Sequence, residues 1–303
     1  MRNQVSLGIL FAALAPLAHA DYVLSTRTPY IAAGDSLELT LLITNPVATT
    51  VQMSPATELV DKPPPLAVTV YDPVYFLIGG SGGMSAKLQM SLRYRLFDDK
   101  GAIARRLPWI DELCFSYLQT SLWDLGDLSK PFHDSSYRPR VFYSNYDLMR
   151  VADGHVRLGI EGGFGHESNG KDGLDSRSIH LAYARPTLPF GDPEGKRFYV
   201  APMIYQYMER EENPDIADYR GHVDLLVGYG RKSGLDFWGT FRKGDVGNRG
   251  SVELNISYPL SRLSGGDLTG WLMAQYFNGY GESMVDYNHK LDAQFRFGLA
   301  IAL

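Results

Sequence analysis

His166 and Ser168, two side chains that could act together in nucleophilic catalysis, occur in the stretch GFGHESNGKDGLDSRSIH, residues 163–180. A serine hydroxyl is a weak nucleophile until a neighbouring base such as histidine accepts its proton. Upstream, apolar residues alternate with glycines and charged residues, as they do in a β-strand whose successive side chains point to opposite faces. This alternation places both residues on the same face as Phe164. A His-x-Ser pair also occurs by chance, so the spacing is a weak signal by itself.

The pair lies on an apolar face, and the fold that positions it must account for this. The composition of the chain narrows the possible folds and partners. Cys114 is the only cysteine, so no intramolecular disulfide can form. The net charge is −5 and no basic tract occurs, which argues against a nucleic-acid partner. After residue 20 the chain has no run of about eighteen apolar residues, so we do not predict membrane-spanning helices.

The first twenty residues are predicted to be a secretory signal peptide. Arg2 supplies the positive charge, residues 5–17 form a short apolar run, and Ala18-His19-Ala20 has the small residues of a cleavage site. The apolar run is too short to span a bilayer, so a membrane anchor is the less favoured interpretation. Residues 21–68 contain short β-like runs and then the sequence DKPPP, and we interpret them as a small β-rich appendage with a proline-rich linker.

From residue 69 to residue 303, long stretches alternate between apolar and polar residues. In SAKLQMSLRYRLF, residues 85–97, Leu88 and Met90 share one face, and Lys87 and Gln89 share the other. The same alternation occurs in SVELNISYPL and throughout the last fourteen residues of the chain. These runs are longer than the usual soluble strand of about five or six residues.

We therefore predict an all-β fold, a transmembrane antiparallel β-barrel of about twelve strands, for residues 69–303. One face of each long strand would contact lipid and the other would line the interior. A closed barrel leaves no unpaired backbone edge in the hydrocarbon. A soluble β-sandwich or lipocalin-like barrel, with its apolar face turned inward, is the alternative. The strand length and the charged second face favour the membrane barrel.

Five motifs resemble those of the outer-membrane phospholipase A family of Gram-negative bacteria, in the same order along the chain. They are SYLQTSLWDL (116–125), SKPFHDSSYRP (129–139), HESNG with its following SRS (166–178), ENPDIADY (212–219) and NGYGESMVDYN (278–288). The resemblance extends from about residue 71 to the end. It implies a calcium-dependent outer-membrane enzyme that hydrolyses the acyl esters of membrane phospholipids, with phospholipase A1/A2 and lysophospholipase activity.

The resemblance also implies the catalytic roles. Ser168 matches the family's nucleophile and His166 its general base. The third member is usually an asparagine, fourteen residues after the histidine, and this chain has His180 at that position. A neutral imidazole can accept a hydrogen bond from His166, whereas a protonated one cannot and would repel the imidazolium that forms during catalysis. We therefore expect activity to fall as His180 becomes protonated, and a weakened or lost enzyme is the alternative.

A calcium site shared between two subunits follows from the same resemblance. The hydroxyl of Ser176 and the backbone carbonyl of Lys171 match calcium ligands, and Ser129 matches a residue whose carbonyl comes from a second copy of the chain. A hard cation held by oxygen atoms suits Ca²⁺. Gln119 matches a glutamine of the family's dimer interface, and a glutamine that faces the barrel interior is the alternative. The homodimer is therefore the expected active form.

The remaining chemistry-bearing residues receive simpler interpretations. Asp172 and Asp175 are interpreted as solvated loop charges rather than calcium ligands, and His133 and His155 as solvated loop residues. Residues 165–176 are expected at the level of the outer leaflet. The rival class of protein is a non-enzymatic outer-membrane barrel, a narrow pore or a structural protein, in which the serine and histidine pair has no role.

Overall fold

The computed structural model describes residues 67–81, 83–129, 131–151, 156–192, 195–231 and 233–303. The predicted signal peptide, nearly all of the predicted appendage and His155 lie outside the described residues. In the described part of the chain, no helix has the length and apolar character needed to cross a bilayer.

Thirteen antiparallel strands form one sheet in the described part of the chain. They are β1 (Val68–Thr69), β2 (Val74–Gly80), β3 (Ser85–Arg95), β4 (Leu113–Asp124), β5 (Phe132–Val151), β6 (Val156–Ser168), β7 (Ser178–Gly191), β8 (Arg197–Glu209), β9 (Val223–Gly230), β10 (Asp236–Lys243), β11 (Gly250–Pro259), β12 (Trp271–Gly279) and β13 (Leu291–Ala302). Among the residues described, the connections hold α1 (Ile216–Arg220), α2 (Leu260–Leu263) and the 3-10 turns Pro108–Glu112 and Gly173–Asp175.

Twelve strands close into a barrel, because β13 pairs with β2 and β3 pairs with β4 as well as with β2. The predicted twelve-stranded antiparallel barrel is therefore confirmed. The thirteenth strand, β1, pairs with the part of β3 that extends beyond β2, through Val68 opposite Tyr94. Pro73 lies between β1 and β2. Proline has no backbone N–H, and at this place between two strands the sheet loses no hydrogen bond because of it.

The predicted division of the strands into an apolar and a polar face is confirmed. On the outer face, the exposed fractions of Met90, Phe297 and Ile301 are 53%, 69% and 75%. Lys87 and Arg296, their neighbours on the inner face, are only 4% and 5% exposed. The apolar side chains thus form the outer wall, which is the arrangement of a barrel surrounded by lipid.

Ion pairs cross the barrel interior and surround a cavity of about 600 Å³. Lys87 Nζ lies 2.9 Å from a carboxylate oxygen of Glu253 and 3.2 Å from one of Glu282, and Glu282 also contacts Arg296 at 2.6 Å. Further pairs join Arg242 to Asp224, Arg220 to Glu167, and Arg185 to Glu161. Lys87 on β3 reaches Glu253 on β11, whereas the Arg242–Asp224 and Arg185–Glu161 pairs join neighbouring strands at directly opposite positions. Each pair avoids the cost of an unpaired buried charge.

The carboxylate of Glu161, on β6, is the most heavily shared acceptor of the interior. It is fully buried and accepts hydrogen bonds from the hydroxyls of Tyr71, Tyr146 and Tyr183 at 2.5, 2.6 and 2.9 Å. Arg185 donates to the same carboxylate at 2.7 Å. One side chain of β6 therefore links the segment before β2 with β5 and β7.

Replacing Glu161 by alanine is expected to destabilise the barrel, because the guanidinium of Arg185 and three hydroxyls lose their shared acceptor. Removing one partner of a buried ion pair typically costs about 3–5 kcal/mol. The measurement is urea unfolding in detergent micelles, followed by the fluorescence of the four tryptophans. The matched control is Asp147→Ala, which removes an exposed carboxylate paired with Arg150 and should leave the unfolding midpoint unchanged. Equal effects of the two variants would contradict the role of Glu161.

Candidate active site

Strand β6 presents His166 and Ser168 on the outer wall of the barrel. Glu161 and Glu167 are 0% and 6% exposed and face the interior, whereas Phe164 is 66% exposed and faces outward. By the alternation of a strand, His166 and Ser168 share the face of Phe164. Residues two apart on one face are about 6.6 Å apart along the strand. The pair thus occupies the last outward positions of β6.

Cross-strand pairing places His180 directly beside His166. The two residues are opposite each other in the β6–β7 ladder, and their ring centroids are 4.7 Å apart with the rings edge to face at 78°. Ser168 is opposite Ser178 in the same ladder. The three residues that the sequence analysis assigned to the catalytic set therefore lie on adjoining positions of two neighbouring strands.

A carboxylate that the sequence analysis missed, Glu209, lies on the other side of His180. The two residues are paired in the β7–β8 ladder, and His180 Nδ1 is 3.4 Å from Glu209 Oε2. Glu209 is 29 residues away from His180 along the chain, and the pairing depends on a register shift. The spacing of residues along the sequence does not predict such a register shift. His166, His180 and Glu209 thus form a row across three strands.

The candidate base has one unsatisfied atom. The Nδ1 atom of His166 is buried and has no hydrogen-bond partner among the described residues. A general base is oriented by the hydrogen bond of its second nitrogen, so this is the atom at which a third catalytic residue would act. His180 is the side chain whose ring contacts that of His166. His180 is therefore the candidate for the orienting residue.

The connection after β6, residues 169–177, is held in shape by the buried side chain of Asn169. Its Oδ1 atom accepts hydrogen bonds from the backbone N–H groups of Lys171 and Arg177, at 3.3 and 3.0 Å. Its Nδ2 atom donates to the carbonyl of Asp175 at 2.8 Å. The sequence alone does not predict a role for Asn169. The structure makes it the residue that fixes the backbone between Ser168 and Ser176.

Ser176 lies next to a second connection, residues 210–222. Its hydroxyl donates to Glu212 Oε1 at 3.0 Å, and the fully buried Asn213 accepts from the backbone N–H of Ser178 at 3.1 Å. The hydroxyl oxygen of Ser176 and the carboxylate oxygen of Glu212 belong to the type of ligand atom that a hard cation such as Ca²⁺ prefers. The described part of the chain holds no group of three or more His, Cys, Asp or Glu residues arranged for a metal.

The other predicted calcium residues lie around the same end of the barrel. The side chain of Lys171 is exposed, and its Nζ atom donates to the carbonyl of His133 at 2.9 Å. Ser129 is exposed in the connection between β4 and β5. Asp172 and Asp175 are also exposed, in agreement with their interpretation as solvated loop charges.

His133 is exposed, in agreement with its interpretation as a solvated residue, but it lies in a strand rather than in a loop. It belongs to β5, and its Nε2 atom lies 2.5 Å from Asp286 Oδ2 in the connection between β12 and β13. This hydrogen bond holds the pKa of Asp286 below its ordinary value, against the opposing effect of burial. In the same connection, burial and a hydrogen bond to Asp215 raise the pKa of Tyr287. The loops around the site thus brace one another through side chains.

Gln119 faces outward, and the alternative of an interior glutamine is wrong. Its neighbours Leu118 and Thr120 are 6% exposed and face the interior, so the intervening side chain points to the lipid. The amide accepts from the hydroxyl of Tyr117 at 3.0 Å and donates to Ser121 Oγ at 3.2 Å. One N–H and one acceptor position of this amide are left for a further partner.

Fold and site together define an outer-membrane type of β-barrel with a candidate serine–histidine pair on its lipid-facing wall. The chain belongs to the phospholipase A1 family, whose sequence model, described as "Phospholipase A1", matches residues 72–303. Phospholipase A1 of Escherichia coli K12 is 31% identical over 227 residues, which cover 72% of this chain and 68% of that protein. A putative phospholipase A1 of Neisseria meningitidis serogroup B is 29% identical over 212 residues, 67% of this chain. The match spans about half, 51%, of the Neisseria protein.

Two solved structures show the same fold. Outer membrane phospholipase A from Escherichia coli superposes with a TM-score of 0.65 at 24% identity, covering 78% of this chain and 92% of that one. The outer membrane phospholipase dimer of Salmonella typhi, solved with bound calcium, gives a TM-score of 0.65 at 24% identity, with coverages of 78% and 93%. The likeness in fold therefore extends over nearly the whole of both solved chains.

Replacing Asn169 by alanine is expected to loosen the connection between β6 and β7, because two backbone N–H groups lose their acceptor. Hydrogen exchange read by mass spectrometry should show faster exchange over residues 169–177, with exchange inside β6 unchanged. Asn169→Asp is the matched control, since a carboxylate keeps the acceptor of both N–H groups. Unchanged exchange in Asn169→Ala would contradict the bracing role of Asn169.

Proposed function

We propose that this protein is a calcium-dependent serine phospholipase of the Gram-negative outer membrane. It hydrolyses acyl esters of phospholipids, with A1, A2 and lysophospholipase activity, and is active as a homodimer. The observation that carries the proposal is the position of His166 and Ser168, on the lipid-facing wall at the end of β6, with His180 in register beside the base. A substrate that resides in the membrane reaches such a site from the side.

The proposed reaction proceeds through an acyl enzyme. Ser168 Oγ attacks the ester carbonyl while His166 accepts the hydroxyl proton. His166 then returns this proton to the departing alcohol oxygen of the lysophospholipid. In the second half, His166 removes a proton from water, which attacks the acyl carbonyl and releases the fatty acid and the free Ser168 hydroxyl. The backbone N–H of Ser168 is the chain's own donor to the oxyanion.

His180 orients the base in this proposal. A neutral imidazole can accept a hydrogen bond from the Nδ1–H group of His166, the buried atom that has no partner among the described residues. This bond fixes the tautomer in which Nε2 is free to accept the serine proton. The contact of the two rings, with their centroids 4.7 Å apart, supports the proposed role because it places His180 beside the base.

The residues available for calcium fit the ion. Ser176 Oγ and the Lys171 carbonyl would hold it, together with the Ser129 carbonyl of a second copy, and the Glu212 carboxylate lies within reach of Ser176. Bound calcium would stabilise the negative charge that develops on the ester oxygen. The related Salmonella typhi structure, a dimer with bound calcium, supports both the ion and the assembly.

Dimerisation would complete the site. Gln119 lies on the outer wall with hydrogen-bonding capacity left over, so a second barrel can satisfy it away from water. A lone barrel would lack both this contact and the carbonyl of the second Ser129. The enzyme would then become active when two barrels associate in an outer leaflet that contains phospholipid.

The direct test of the catalytic proposal is fatty-acid release from phospholipid–detergent micelles with calcium present. Wild type should be active and Ser168→Ala should lose activity by at least about a thousandfold, because the nucleophile is gone. Ser178→Ala, the serine opposite Ser168 in the ladder, is the matched control and should retain activity. Equal inactivity of wild type and Ser168→Ala would refute the proposal, and planar-bilayer conductance without lipolysis would favour a pore.

The calcium proposal is tested by removing one ligand. Ser176→Ala should bind calcium more weakly by about tenfold, the loss expected for one oxygen ligand worth roughly 1.4 kcal/mol. Terbium luminescence titration reads the binding independently of turnover, and lipolysis against calcium concentration should shift by the same factor. Asp172→Asn, an exposed loop carboxylate of the same connection, serves as the control. An unchanged titration for Ser176→Ala would contradict this ligand set.

A further inference from the structure

The contact between His180 and Glu209 has a consequence for the candidate base. His180 Nδ1 lies 3.4 Å from Glu209 Oε2, and the two side chains are about half exposed at 50% and 47%. On its other side, the ring of His180 meets the ring of His166 edge to face. His180 thus stands between a carboxylate and the base whose Nδ1 atom has no hydrogen-bond partner in the described residues.

A neutral imidazole exists in two tautomers, whereas an asparagine amide has one fixed arrangement of donor and acceptor atoms. Neutral histidine carries its proton on only one of its nitrogens, and only the other nitrogen can accept a hydrogen bond. A neighbouring carboxylate determines which nitrogen is protonated, because it favours the N–H group that points toward it. With the proton on Nδ1 facing Glu209, the Nε2 atom of His180 is left as an acceptor for His166.

We propose that Glu209 is a positioning residue of the hydrolase: it holds His180 in the Nδ1–H tautomer, so that Nε2 of His180 accepts the hydrogen bond of the base. The inference rests on the proposed function, and Glu209 acts through His180 without touching the substrate. The row Ser168–His166–His180–Glu209 then does with an imidazole and a carboxylate what an asparagine side chain does alone.

The backbone supports this assignment. Leu181 pairs with Tyr207 in the β7–β8 ladder, so regular pairing would place Met208 opposite His180. The register shift between His180 and Leu181 brings Glu209 to that position instead. Bulges of this kind re-aim a side chain and occur preferentially next to active sites. Here the register shift places the carboxylate of Glu209, rather than the thioether of Met208, beside the imidazole of His180.

The nearby carboxylates have other partners. Glu212 accepts from the hydroxyl of Ser176 at 3.0 Å. Glu167 points into the barrel, where Ser136 and Arg220 donate to it at 2.7 and 3.1 Å. Glu209 is the acidic side chain that contacts the ring of His180. The assignment therefore falls on one residue rather than on a general acidic environment.

The kinetic test compares Glu209→Ala and Glu209→Gln in the wild-type and in the His180→Asn backgrounds. Glu209→Ala should lower kcat about tenfold with KM unchanged, the loss of one hydrogen bond of about 1.4 kcal/mol in the transition state. Glu209→Gln should retain most of the activity, because its amide oxygen still accepts from Nδ1–H. With His180→Asn, Glu209→Ala should cost nothing further, since an amide needs no choice of tautomer. A cost that is equal in both backgrounds would overturn the proposal.

A second measurement reads the tautomer without any turnover. Nitrogen NMR of histidine-labelled protein in micelles, at a pH where the ring is neutral, should show His180 protonated on Nδ1 in the wild type and on Nε2 in Glu209→Ala. A wild-type His180 protonated on Nε2 would overturn the proposal. Protein that shows the Nδ1–H form but hydrolyses no phospholipid would confirm the action of Glu209 on the ring and refute the proposed function.

Discussion

Hydrogen bonding of the backbone is the constraint on which the rest of this structure depends. In hydrocarbon no water is present to satisfy an exposed N–H or C=O group, and a strand can meet this demand only when both of its edges are paired. The ladders that join β13 to β2 and β3 to β4 meet it by closing the sheet. Closure then forces every side chain either into the interior or onto the lipid-facing wall.

This division decides where chemistry can occur. The interior receives the charges, where Arg242 pairs with Asp224 on the neighbouring strand and Lys87 on β3 reaches Glu253 on β11. Such pairs tie strands together and fill the space that a wide channel would need. A reaction on a membrane lipid has to occur on the other face, among side chains such as Phe164. His166 and Ser168 lie on that wall, and their position favours the proposed enzyme over a pore.

The sequence predicted the fold better than it predicted the contacts of the site. Alternation in residues 85–97 and at the C-terminus predicted which side chains face lipid, and the exposed side chains of Met90, Phe297 and Ile301 agree with it. Neighbouring residues of one strand, such as His166 and Ser168, could be placed in the same way. Contacts between strands could not, because they depend on register. Glu209 contacts His180 because of a register shift, and Glu212 contacts Ser176 because two connections lie side by side. Neither feature can be predicted from the spacing of residues along the chain.

The substitution at position 180 shows how register and chemistry depend on each other. An asparagine needs only to be placed beside the base, since its carbonyl oxygen is always an acceptor. A histidine at the same place is an acceptor only while it is neutral and only in one tautomer, so it needs a neighbour that makes the choice. The bulge of β7 and β8 brings a carboxylate to that neighbouring position. Under the proposed function, His180 on β7 and the irregular pairing with β8 form one feature, in which the backbone places a carboxylate where the imidazole needs one.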